Sequence, residues 1–174
     1  MPAYAAFLRA VNVGGTGKLP MSELTRMCED AGFADVKTYI ASGNVAFTSG
    51  KSETAVKAAL EKALADYAGK AVPVMVRTAK ELAAIRDANP FAKAPGNRVV
   101  AVLLDEKPPK DAAADARHVD GEEIAVGKRE IYIRYTDHGM GQSKLVVPAA
   151  KAGTARNMNT IAKLADMAAA LDED

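Results

Sequence analysis

The sequence contains one cysteine, two histidines and no tryptophan. A lone Cys28 excludes an intramolecular disulfide and any zinc site built on cysteines, and it suits a reducing compartment. His118 and His138 are too few and too scattered for a metal centre, which needs several ligands in a compact set. With four Phe and five Tyr, the chain has little material for a base-stacking platform; Tyr132 and Tyr135 are the candidates for one. Neither sign of charge is in excess. A net charge of +1 argues against a broad nucleic-acid or membrane-surface footprint, although a local patch fits within a balanced total. No apolar run approaches the roughly 18 residues of a membrane span, and the N-terminal stretch lacks the basic-then-apolar pattern of a secretory leader. The expectation is a cytoplasmic protein with no membrane partner and no metal.

What is present is ordinary globular material. Hydrophobic residues make up 49% and charged residues 26%, which argues against disorder. A chain of 174 residues is one domain, or two small subdomains, and buries roughly 70% of its unfolded surface.

Residues 3–11 are apolar on both alternating faces except at Arg9, the pattern of a central strand covered on both sides. A glycine-rich loop follows. A helix then starts near Pro20 with Met21, Leu24, Met27 and Cys28 on one face, and Gly32 ends it with Phe33 placed for a capping contact. Residues 36–40 and 45–48 read as a hairpin around Ser42, Gly43 and Asn44. Ser52 caps a second helix carrying Val56, Leu60, Leu64 and Tyr67, closed by Gly69. Residues 72–77 form another strand, placed at an edge by Pro73, which has no N–H for a ladder. The order is βαββαβ, the split βαβ arrangement of a ferredoxin-like subdomain.

Thr78 and Glu81 form a capping box for a helix with Leu82 and Ile85, stopped by Asn89 and Pro90. Residues 92–97 connect. The order then recurs: a strand over 98–104, an alanine-rich helix over 109–117, and a hairpin of 122–126 with 130–135 across Gly127, Lys128 and Arg129. A second glycine-bearing loop, residues 137–144, leads through a linker to a last helix from about Asn157, with Ile161, Leu164, Ala168 and Leu171 on one face. The expected fold is α+β: two ferredoxin-like subdomains related by pseudo-duplication, plus a C-terminal helix. The expected boundaries are 1–77 for the first subdomain, 78–97 for a connecting helix and linker, and 98–174 for the second βαββ-type subdomain with the last helix.

Several stretches also resemble a known family. RAVNVGG (residues 9–15), KLPMSEL, TYIASGNVAF (38–47), NPF (89–91), GMGQSKL (139–145) and TARNMNT (154–160) are similar, in order, to the signature blocks of the bacterial family catalogued as domain of unknown function 1697. The resemblance implies a cytoplasmic α+β protein of two related ferredoxin-like subdomains, and no established activity. Its blocks fall on Arg9, Asn12, Gly14, Gly15, Ser42, Gly43, Asn44, Ser143, Lys144, Arg156, Asn157, Asn159 and Thr160. Two departures stand out. Met158 replaces the usual tryptophan, and residues 145–154 form a shorter segment than usual, so a helix common there is expected to be missing.

Three candidate sites emerge. The loop NVGGTGK, residues 12–18, almost spells a phosphate-binding P-loop but has Asn12 in place of its first glycine and Leu19 where a Mg²⁺-holding hydroxyl belongs. Tight turn and anion-binding loop both remain open for it. Ser42 and Asn44 read as hairpin residues, or as partners of Arg9 and Asn12 across neighbouring strands. The third group joins Ser143 and Lys144 with Arg156, Asn157 and Asn159; these are either caps and solvated cations or a second anion site. The leading expectation is a small anionic ligand, phosphorylated or nucleotide-like, in a cleft between the two halves. Arg9, Lys18, Lys144 and Arg156 would balance its charge, and Asn12, Asn44, Asn159 and the amides around Gly14 and Gly15 would fix its geometry. No cofactor or reaction is assigned; Ser143 beside Lys144 is the one nucleophile-like pair. The alternative is a non-enzymatic protein- or RNA-interaction module.

Overall fold

The computed structural model describes residues 1–9, 18–137 and 139–172. It divides into two units, Met1–Ala83 with Lys163–Asp174, and Ala84–Ala162. The boundaries fall inside two helices, the first of them within the expected 78–97 connecting segment.

The apolar run at the start forms β1 (Ala3–Leu8), buried along its whole length. It lies between β3 (Asn44–Thr48) and β4 (Val74–Thr78), and β2 (Ala34–Tyr39) completes an antiparallel sheet of order β2-β3-β1-β4. The alternation of a strand sorts its side chains. Tyr4, Ala6 and Leu8 join Val45, Phe47, Val74 and Val76 in a core with Leu24, Met27 and Cys28 of α1 (Met21–Asp30) and Val56, Leu60 and Leu64 of α2 (Glu53–Ala68). Ala3, Ala5 and Phe7, on the other face, are buried as well. Tyr67, expected on the core stripe of α2, is exposed in the helix's last turn.

Local chemistry sets the helix ends. Gly32 takes φ +89° beyond α1, which lets the Phe33 N–H donate to Cys28 O at 3.0 Å. Phe33 then stacks on Phe47, ring centroids 4.4 Å apart, the apolar contact that accompanies such a cap. Ser52 Oγ accepts from the Ala55 N–H at 3.2 Å to start α2. Thr78 and Glu81 form the expected reciprocal box at the start of α3 (Ala79–Asp87): Thr78 N–H donates to Glu81 Oε1 at 3.0 Å, and Glu81 N–H to Thr78 Oγ1 at 3.1 Å. β4 is an edge strand, as Pro73 requires. Its open side is blunted by α2, because Glu61 accepts from the Val74 N–H at 3.0 Å and Lys57 Nζ donates to Val74 O.

In the second unit, β5 (Val99–Leu103) is buried throughout and pairs with β7 (Glu130–Arg134) and β8 (Thr154–Asn157). With β6 (Glu123–Val126) these form an antiparallel sheet of order β6-β7-β5-β8. Two expectations are corrected here. Residues 109–117 form no α-helix: Pro108 and Pro109 lead into a set of turns over 110–115, and Ala112 is the one of them that reaches the core. Without an N-cap or an apolar stripe, so short an alanine-rich stretch is marginal as a helix. The expected linker before the last helix instead contains β8, a strand hidden in the sequence by the polar residues Thr154, Arg156 and Asn157. Between residues 145 and 154 stands one 3₁₀ turn, Pro148–Ala150, consistent with the missing helix. α4 (Met158–Asp172) then closes the described chain, with Ile161, Leu164, Ala168 and Leu171 all buried. Asp172 accepts from the Ala3 N–H at 3.1 Å within the first unit.

The two sheets agree position by position. Phe7 pairs with Asn44 and Leu103 with Glu130; Ala5 pairs with Arg77 and Ala101 with Arg156. Leu8 N–H donates to Gly43 O, and Leu104 N–H to Arg129 O, each at 2.9 Å. Arg77 and Arg156 each donate from Nη1 to the preceding carbonyl at 2.9 Å. Thr78 caps α3, and Asn157 caps α4 by accepting from the Thr160 N–H at 2.9 Å.

Candidate functional site

The residues singled out near the N-terminus separate into those the structure describes and those it does not. Asn12, Gly14 and Gly15 lie outside the described residues. Arg9 is half-buried and Lys18 exposed. The hydrogen bond from Leu8 N–H to Gly43 O brings the end of β1 beside the turn before β3, as the strand order anticipates. Asn44, fully buried, donates from Nδ2 to Tyr39 O and to Ser42 Oγ, both at 2.9 Å. These two bonds lock the hairpin, so Ser42 and Asn44 have an architectural task. Glu130 does the same in the second unit: its carboxylate accepts from the Lys128 and Arg129 N–H groups at 3.3 and 2.9 Å.

The third group divides. Ser143 and Lys144 line a cavity of about 440 Å³ inside the second unit, within the usual size of small-molecule sites. Arg156, Asn157 and Asn159 do not line it. Arg156 lies in β8 opposite Ala101, where burial pushes its guanidinium down to about 10; Asn157 is the cap of α4; and the exposed Asn159 lies over Gly96.

Two segments wall the cavity. One carries His118, Val119, Asp120 and Glu122 into β6; the other runs from Thr136 to Gln142, Ser143 and Lys144. Paired backbone bonds between Arg117 and Val146, 2.8 and 2.9 Å, tie them together. Gly121 adopts φ +88°, and a Cβ there would lie 2.9 Å from Thr136 Cγ2. That close approach needs glycine. Arg98 Nη1 holds Thr136 O at 3.3 Å, and Gly139 N–H donates to the same carbonyl at 2.8 Å.

Glu122 is the centre of the site. It is 8% exposed, yet Ser143 Oγ donates to its Oε2 at 2.6 Å and the Asp120 N–H donates to Oε1. Those bonds, Ser143's first, hold its carboxyl below the usual glutamate range, since hydrogen bonds to the charged form favour it. Ser143 Oγ also accepts from the Leu145 N–H at 3.2 Å. This arrangement engages the Ser143 hydroxyl with the Glu122 carboxylate, a different partner from the Lys144 of the nucleophile-like pair. The hydroxyl faces a carboxylate that is a weak base, whereas a serine nucleophile needs a strong one. Among the described residues no group of three or more His, Cys, Asp and Glu side chains is arranged to hold a metal ion, so His118, Asp120 and Glu122 are not a metal set.

Sequence reasoning found Ser143 and Lys144 and missed His118, Asp120, Glu122, Thr136 and Gln142. The signal available was the alternation of His118, Asp120 and Glu122 just before a strand, facing a glycine loop. Two residues elsewhere behave as their surroundings dictate. Cys28 is buried, its thiol pushed up to about 12 by desolvation. Tyr132, a candidate stacking residue, is 2% exposed and donates to Ile85 O at 2.7 Å, so its ring is core.

The fold and site define an α+β protein with two four-stranded antiparallel sheets and a polar cleft in the second unit. Residues 1–132 match the family described as "Protein of unknown function (DUF1697)", and the chain belongs to that family. Residues 139–145 and 154–160, the last two signature blocks, lie beyond the matched stretch. The solved structure of the conserved bacterial protein SP0830 from Streptococcus pneumoniae is similar, with a TM-score of 0.76 at 23% identity over 96% of this chain and 98% of that one. That likeness is one of fold. None of the curated proteins matches the chain. No helix among the described residues is long and apolar enough to cross a membrane.

Proposed function

We propose that this protein binds a small anionic ligand, phosphorylated or nucleotide-like, in the cleft between the 118–122 and 136–144 segments. The observation that carries the reading is a concave site of about 440 Å³ in which Lys144, Ser143, Gln142 and His118 converge. Convergent polar groups in a formed cavity are the usual mark of a small-molecule site. The cleft is proposed as a binding site, with no reaction attached. The scaffold beneath it we read as a pair of split βαβ units of ferredoxin-like kind, related by duplication; equal sheet order, equal register and equivalent hairpin-locking residues support this. A single buried cysteine fits the cytoplasmic location proposed with it.

Thermal shift against nucleotides, sugar phosphates and inorganic phosphate tests the reading. A binding ligand raises the melting temperature in proportion to its saturation, and Lys144→Ala removes that response. A flat response across the whole panel contradicts the proposal. The alternative, an interaction module, draws on three exposed apolar side chains at or near the cleft, Val119, Met140 and Val146. Under it, a protein partner binds without any small ligand, and Val146→Asp abolishes that binding. The burial of Tyr132 weighs against an RNA version.

A further inference from the structure

The charges lining the cleft are unequal. Asp120 and Glu122 contribute two carboxylates, while Lys144 contributes the one lysine. The nearby Arg134 is engaged by Glu123, which accepts from its Nε at 2.8 Å. A ligand carrying anionic groups alone would be attracted by Lys144 and repelled by the two carboxylates of the 118–122 segment. Glu122 is buried; its carboxylate accepts from Ser143 Oγ and the Asp120 N–H and is also held by its own backbone N–H, whereas the two carboxylate oxygens together offer about four acceptor positions. Acceptor capacity therefore remains on a fixed, buried negative charge. A neutral hydroxyl could use it, but an ammonium group would add charge compensation to the hydrogen bond, and charge-assisted bonds are roughly twice as strong.

We infer that the ligand is zwitterionic, a small molecule that sets an ammonium group against Asp120 and Glu122 and its anionic group against Lys144. This rests on the ligand-binding reading above and narrows it to phosphorylated amines. Val119, an exposed apolar residue of the lining, suits the short carbon chain joining the two charges. The known sequence blocks do not point here, because neither Asp120 nor Glu122 belongs to one.

Titration calorimetry on the full chain with O-phosphoethanolamine, glycerol 3-phosphate and inorganic phosphate separates the alternatives. O-Phosphoethanolamine is expected to bind about tenfold tighter than glycerol 3-phosphate, the difference between a charge-assisted and a neutral hydrogen bond. Asp120→Asn, at an exposed position, erases that preference, so that the two phosphates bind alike. Glu122→Gln does the same, with Asp120→Asn guarding against loss of fold. Equal or tighter binding of glycerol 3-phosphate by the unaltered protein overturns the zwitterion inference and leaves phosphate binding standing. No binding of any of the three overturns both.

Discussion

The two units share a sheet plan and differ in what covers it. In the first, α1 and α2 lay Leu24, Met27, Cys28, Val56, Leu60 and Leu64 over one face of the sheet. In the second, the corresponding connections are a set of turns at 110–115 and, among the described residues, loop and 3₁₀ turns from 139 to 153. There the apolar face is closed by small contributions from Ala112, Val147 and Leu145. In place of two helices, loop backbone and polar side chains line a cavity beyond the ends of β6 and β7. One sheet plan thus carries helices over its core in one unit and, in the other, loops that line a cleft.

The largest expected effect breaks the sealed side. Phe47→Ala removes a fully buried ring stacked on Phe33 and should cost about 3–5 kcal/mol in urea unfolding. Gly153→Ala strikes the second unit. An added Cβ would sit 2.5 Å from Val102 Cγ1 and 2.8 Å from the rigid Leu103 carbonyl, an overpacking that should cost about 1–3 kcal/mol in the same measurement. The hairpin locks give a matched pair: Glu130→Ala and Asn44→Ala each remove two part-buried hydrogen bonds to turn groups, and each should lose about 1–3 kcal/mol. Comparable losses would sharpen the equivalence of the two units, and a loss at one position alone would break it.

Legibility in the sequence followed the same division. Apolar periodicity and caps exposed the first unit almost completely, from Ser52 and Gly69 to the Thr78–Glu81 box, because its helices bury broad stripes. The second unit resisted the same reading. β8 carries polar residues that answer to sheet pairing, and the alanines near residue 112 suggest a helix that the two prolines and a missing cap prevent. The cleft was half legible for a related reason. A glycine loop with Ser143 and Lys144 is a local signal, whereas Glu122 joins it through a bond spanning 21 residues of chain, which no local pattern reveals. Asn44 and Ser42 show the opposite ambiguity, since a polar pair that locks a turn has the same sequence appearance as one that holds a ligand.

Two smaller effects probe the contrast by chemistry. Cys28, buried with its thiol raised to about 12, should react with a disulfide reagent at neutral pH only at the rate of unfolding, and fast labelling of native protein would show the first unit to be open. Glu122 supplies the pH test. Its folded pKa lies below the ordinary 4.5, so its contribution is present above that value and is lost as pH falls through the folded pKa. The melting-temperature gap between the unaltered protein and Glu122→Gln should be constant well above 4.5 and narrow as the pH falls through the folded pKa; a gap that does not change across the acid range would deny Ser143 and Asp120 their part in holding the carboxylate.

The central claim, that the unit stripped of its helices carries the ligand site, is tested most directly by backbone amide NMR during titration with O-phosphoethanolamine. The account predicts saturable shifts at Asp120, Glu122, Ser143 and Lys144, with the resonances of Asn44 and its hairpin unmoved. Shifts centred on Arg9, Lys18 and Asn44, with the cleft silent, would contradict it.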